Sequence, residues 1–198
     1  MTTELSIETD DGETLDAERT GPDEATRAVV MCHPHPAYGG DMRVPVLTEL
    51  MSALSAAGFG ALRFDFRSAG RSTGEHDGGD AERLDVAAAC AVARVQWPEA
   101  RLVLLGYSFG ADVSLAARVE PDRRVLIAPP LQIGDIAPPV CPTLLLVPEH
   151  DQFSPPDRAR EVTADWPDAT VEVLRGADHF LTGALGTIVE RSLSWSGQ

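Results

Sequence analysis

The chain has 198 residues, 43% of them hydrophobic, and a formal net charge of −15; all 16 basic residues are Arg, with no Lys. This length suits a single domain, residues 1–198, with enough apolar content for a substantial core, which excludes wholesale disorder. The acidic balance without a basic cluster argues against nucleic acid and anionic membranes as partners, and reads as ordinary solubility or as adaptation to high salt.

The N-terminal segment lacks the basic and apolar regions of a secretory signal, and no apolar run reaches the roughly 18–20 residues needed to span a bilayer. Cys32, Cys90 and Cys141 are odd in number and widely spaced. They fit buried thiols in a reducing compartment, and the expected setting is cytoplasmic.

In chain order, Leu5–Thr9 and Thr14–Arg19 flank Asp10-Asp11-Gly12 and read as a hairpin. Ala28–Cys32 is a continuous apolar run, the pattern of a strand covered on both faces. Further strands are expected at Gly60–Phe66, Arg101–Leu105, Arg124–Ala128, Thr143–Val147 and Thr170–Leu174. Helical patterns lie between them. Leu47, Leu50, Met51 and Leu54 share one helix face, Ala81–Gln96 stops before Pro98, Phe109–Val119 follows a glycine-rich turn, and Pro156–Trp166 starts at prolines. Leu181, Leu185 and Ile188 predict a last helix, and Thr73–Asp80, rich in Gly and acid, an exposed loop. Strands alternating with helices imply an α/β fold with a mainly parallel sheet.

Chemistry concentrates in Gly106-Tyr107-Ser108-Phe109-Gly110, a G-x-S-x-G between an expected strand and an expected helix. In that setting the Ser sits on a tight turn at the carboxyl end of the sheet, the arrangement of a nucleophile elbow. A serine needs a base and an orienting acid, in the chain order Ser, acid, His. The histidines after Ser108 are His150 and His179. His179 is the expected base and Asp151 the expected acid, with Glu149 and Asp178 as competitors for the acid.

The loop Cys32-His33-Pro34-His35-Pro36-Ala37-Tyr38-Gly39-Gly40 can supply an oxyanion donor beside the N–H of Phe109. Proline has no N–H, which points to the N–H of His35. A rival reading takes His33 and His35 as a metal pair; the prolines around His35 oppose it, and no metal is expected. Asp65 and Arg67 are expected to fix loop geometry, with a substrate-facing role open for Arg67 or Arg71.

These pieces, in this order, resemble the α/β-hydrolase superfamily. They are His33-Pro34 where His-Gly is usual, Asp65-x-Arg67-x-x-Gly70-x-Ser72, Gly106-x-Ser108-x-Gly110, Asp151 after its strand, and Asp178-His179. The run His-Pro-His-Pro-x-x-Gly-Gly looks like a small bacterial branch of uncapped serine hydrolases related to dienelactone hydrolases; the true dienelactone enzymes use Cys where this chain has Ser108. The resemblance implies an α/β-hydrolase fold with about eight strands, helices on both faces and no lid domain, since only Pro129–Pro142 separates two strands where a lid is usually inserted. It also implies catalytic Ser108, Asp151 and His179, a small-molecule acyl substrate, no cofactor, and an open acyl pocket walled by Tyr38, Phe109, Leu131, Phe153 and Phe180. The implied reaction is hydrolysis of a small ester or thioester. Acyl transfer, peptidase action, or binding without catalysis are the alternatives.

Overall fold

The computed structural model describes residues 2–133 and 137–198. Its centre is an eight-stranded sheet in the order β1-β2-β4-β3-β5-β6-β7-β8. The hairpin β1 (Thr3–Glu8) and β2 (Thr14–Thr20) forms one edge, turning at Gly12 with φ 88°. β2 runs antiparallel to β4 (Gly60–Phe64). From β4 across β3 (Arg27–Cys32), β5 (Arg101–Tyr107), β6 (Arg123–Ile127), β7 (Thr143–Pro148) and β8 (Ala169–Leu174), neighbours are parallel.

The continuous apolar runs have the explanation expected of them: both faces of the parallel strands are covered. Val29, Met31, Val103, Leu105, Val125 and Ile127 pack under α1 (Pro45–Ala56) and α5 (Leu185–Ser196). Val30, Cys32, Leu62, Phe64, Leu102 and Leu104 pack under α2 (Glu82–Gln96) and α3 (Phe109–Ala116). α4 (Pro156–Val162) places Ala159 against Leu126, Leu145 and Val147 beside α3.

Three helix expectations are corrected. α3 stops at Ala116 because Ala117 turns extended (φ −67°, ψ 137°) ahead of Pro121. α4 stops at Val162 rather than Trp166; Thr163 leaves helical geometry there, its hydroxyl donating to the Ala159 carbonyl. Leu181 lies outside the last helix, left-handed at φ 64°, and is buried beside that helix's Ile188.

From β3 the chain steps to β4 on one side and returns to β5 on the other. The loops leaving β3 and β5 therefore diverge, opening a crevice at the carboxyl ends of adjacent strands. Cys32 and Gly106 are register partners at that point. The described residues of the β6–β7 connection, 128–133 and 137–142, form no helix or strand. Among the described residues no helix is long and apolar enough to cross a membrane.

Candidate active site

Ser108 sits between β5 and α3 with φ 54° and ψ −120°, a left-handed φ that non-glycine residues rarely adopt. Both flanking glycines are forced by close approach. A Cβ on Gly106 would lie 2.4 Å from the Gly110 carbonyl oxygen, and one on Gly110 would lie 2.5 Å from the carbonyl oxygens of Cys32 and His33. The bend thus closes on itself and packs the start of α3 against the loop leaving β3.

The loops after β7 and β8 converge on this bend. The Ser108 Oγ lies 2.8 Å from His179 Nε2, and His179 Nδ1 lies 2.8 Å from Asp151 Oδ2. All three residues are buried, with Ser108 still 8% exposed. Asp151 Oδ1 accepts the N–H groups of Phe153 (2.8 Å) and Ser154 (3.1 Å), which fixes the carboxylate's orientation. The competing acids are committed elsewhere: Glu149 accepts the Gly176 N–H at 2.7 Å, and Asp178 the Phe180 N–H at 3.1 Å. His150 points outward, 67% exposed, although its N–H donates to the Ala177 carbonyl and ties the two loops together.

Among the described residues the N–H groups of His35 and Phe109 have no backbone hydrogen-bond partner. His35 precedes a 3₁₀ turn, Pro36–Tyr38, and its carbonyl accepts the Tyr38 and Gly40 N–H groups, both at 3.1 Å. Burial, reinforced by His76, lowers the pKa of its imidazole.

The metal reading of His33 and His35 fails on geometry. Both nitrogens of His33 are occupied, one 2.6 Å from the Pro34 carbonyl oxygen and the other 2.9 Å from the Phe66 nitrogen. Arg67 faces no substrate: it is buried on Asp85 (2.7 Å) and reaches Asp11 (2.9 Å). Arg71 pairs with Asp16 and Glu4 on the hairpin edge. Asp65 does fix a loop, accepting the Met42 N–H at 2.7 Å while Gly70 presses against its other oxygen.

Of the five expected pocket walls, two are core. Phe109 is 4% exposed and packs edge-on to Phe66; Leu131 is 2% exposed among Ala111, Leu126 and Leu145. Tyr38, Phe153 and Phe180 remain at the surface. Phe153 meets the His179 ring edge-on at 4.5 Å, Phe180 lies 6.1 Å from it, and Tyr38 is tilted against His35 at 4.8 Å.

Three contributors escaped the sequence reading. The Tyr107 hydroxyl donates to the His179 carbonyl at 3.0 Å, and burial pushes its pKa up to about 12. A buried tyrosine needs such a partner, so the apolar run before it was the available signal. Asp112 on α3 accepts N–H groups from Leu131, Gln132 and Ile133, holding the segment after β6. His76, in the expected exposed loop, lies with its ring 4.5 Å from that of His35. Its loop is anchored by the fully buried Glu82, which accepts the Asp77 and Gly79 N–H groups.

Sheet order, elbow and crevice define an α/β-hydrolase. Residues 23–141 match the Hydrolase_4 family, described as serine aminopeptidase, S33, and the chain belongs to that family. The match contains Ser108 and ends before Asp151. Among solved structures, an α/β serine hydrolase homologue from Coxiella burnetii superposes with a TM-score of 0.87 at 28% identity, covering 97% of this chain and 96% of that one. A serine hydrolase without lid from Xanthomonas campestris gives 0.80 at 33% identity, covering 96% and 94%. An uncharacterized protein of Rickettsia prowazekii is 29% identical over 180 residues, covering 83% of this chain and 75% of its own length.

Proposed function

We propose that the chain hydrolyses small esters or thioesters through an acyl-enzyme on Ser108. The observation that carries this reading is the unbroken relay from Asp151 through His179 to Ser108, each contact 2.8 Å. His179 Nε2 takes the Ser108 proton as Oγ attacks the carbonyl carbon. Asp151 holds the proton on Nδ1 and stabilises the imidazolium that forms. The N–H groups of Phe109 and His35 receive the oxyanion, at the start of α3 where the helix dipole also favours negative charge. Collapse expels the alcohol or thiol, protonated by His179. Water, deprotonated by the same imidazole, then releases the acid and restores Ser108. The reading needs no metal or cofactor.

An ester or thioester is favoured by the site's openness. Tyr38 and Phe180 stand 88% and 71% exposed around it, so few remote contacts exist whose binding energy could drive a harder cleavage. The description of the matched family favours a second reading, cleavage of a peptide amide on the same residues. The test is turnover of p-nitrophenyl butyrate against an aminoacyl p-nitroanilide, each with Ser108→Ala. Ester turnover abolished by Ser108→Ala supports the first reading. Anilide turnover exceeding ester turnover selects the second, and ester turnover untouched by Ser108→Ala refutes the role of Ser108.

A further inference from the structure

We propose that His33 is a positioning residue that aims the oxyanion donor; this rests on the reading of the His35 N–H as that donor. The two contacts of its ring fix its tautomer. A carbonyl oxygen only accepts, so Nδ1, 2.6 Å from the Pro34 oxygen, carries the proton. An amide N–H only donates, so Nε2, 2.9 Å from the Phe66 nitrogen, is the bare nitrogen. The ring is 0% exposed, so water replaces neither bond.

The Pro34 carbonyl belongs to the same peptide unit as the His35 N–H. The described residues contain no cis peptide, and in a planar trans unit the C=O and N–H point in opposite directions. Holding the carbonyl to one side therefore turns the N–H to the other. The next peptide is fixed independently, because the His35 carbonyl accepts from Tyr38 and Gly40. Gly40 completes the clamp: a Cβ there would stand 2.2 Å from the Pro34 oxygen, so only glycine lets the returning arm of the loop pass behind that carbonyl.

The hook's other end is equally firm. Phe66, which donates to Nε2, is flanked by Asp65, whose N–H donates to the Asp16 carbonyl, and by Arg67, whose N–H donates to the Asp85 carboxylate. The segment after β4 thus sets the ring, and the ring sets the peptide plane. A donor aimed before the reaction stabilises the developing charge without reorganising. Hydrogen bonding at the Pro34 oxygen also polarises the amide and strengthens its N–H as a donor.

Three variants test this. His33→Leu removes both bonds, His33→Gln can keep the acceptor for Phe66 while losing the donor to Pro34, and His33→Asn can keep that donor. The readouts are kcat and KM for p-nitrophenyl butyrate, and affinity for phenylboronic acid, which adds to a serine as a tetrahedral anion. Melting temperatures establish which variants are folded. Leu and Gln should lower kcat about 10–100-fold and weaken the boronate similarly, with KM within about twofold, and Asn should recover most of the loss. A merely structural role would lower the melting point without that split. Should His33→Leu not fold, His33→Gln carries the same comparison. Should neither fold, nitrogen-15 NMR of the wild-type imidazole decides: Nδ1–H supports the hook and Nε2–H overturns it. Folded Leu or Gln variants with unchanged kcat and boronate affinity overturn the proposal while leaving Ser108 hydrolysis standing. A wild-type protein that neither hydrolyses the ester nor binds the boronate removes the hydrolase reading and this proposal together.

Discussion

Replacing Asp151 by Asn probes the relay with almost no change of volume, and the structure dictates which way the amide must face. Asp151 Oδ1 accepts two backbone N–H groups, from Phe153 and Ser154, and only the amide oxygen can do the same. The NH₂ group is then forced toward His179 Nδ1, 2.8 Å from the atom it replaces. It donates there, so Nδ1 must become the acceptor and the imidazole proton moves to Nε2. That nitrogen can no longer accept the Ser108 proton. An imidazole locked in the wrong tautomer by this substitution has lowered kcat about 10⁴-fold in a chymotrypsin-like protease, equivalent to about 5.4 kcal/mol of transition-state stabilisation. The backbone N–H groups keep their acceptor, so the melting temperature should stay within a few degrees. Stopped assays with p-nitrophenyl butyrate, beside Glu149→Gln and Asp178→Asn, measure the effect. An Asp151→Asn enzyme keeping more than about a tenth of its activity, while either control loses it, would refute the assignment of the acid.

Other outcomes follow from neighbouring contacts. Arg67→Met strands the Asp85 carboxylate, which is 0% exposed; breaking a buried pair this way removes about 3–5 kcal/mol. For a chain of this size that is a melting point lower by about 6–20 °C in calorimetry, and a shift below about 2 °C would contradict it. Gly110→Ala drives a Cβ into the Cys32 and His33 carbonyls and should reduce kcat at least about tenfold; Gly186→Ala, on the open side of α5, should leave activity alone and add about 0.5–1 kcal/mol of stability. Burial holds His33 neutral, with its pKa at about 4 against 6.5 for a free imidazole. The unfolded chain therefore binds a proton between those values that the folded chain refuses, so stability is full above pH 6.5 and falls by about 3 kcal/mol as the pH drops to 4. Urea titrations of wild type and His33→Gln across that range should differ by this slope; parallel curves would contradict it.

The parallel strands were legible because burial on both faces leaves an unbroken apolar run, as at Ala28–Cys32 and Thr143–Val147. The elbow was legible because its glycines answer a steric demand local to five residues. Helix ends were less so: Pro121 and Pro167 mark the limits that α3 and α4 cannot pass, but that the chain leaves helical geometry four residues earlier, at Ala117 and Thr163, depends on what each carbonyl meets. The partners of buried polar groups were the least legible. Arg67 pairs with residues 18 and 56 positions away, and Tyr107 with the carbonyl of a residue 72 away. Periodicity describes one element at a time and carries no information about such closures. The dual engagement of His33 belongs to the same class, which is why a metal pair and an oxyanion loop were both readable from His33-Pro34-His35.

Covalent capture addresses the chemistry most directly. The wild-type protein is treated with a fluorophosphonate and digested, and the modified peptide is identified by mass spectrometry. A reactive serine assisted by His179 predicts stoichiometric modification at Ser108, abolished in Ser108→Ala and strongly slowed in His179→Ala. Folded wild-type protein that stays unmodified, or carries the phosphonate on another side chain, would contradict the account.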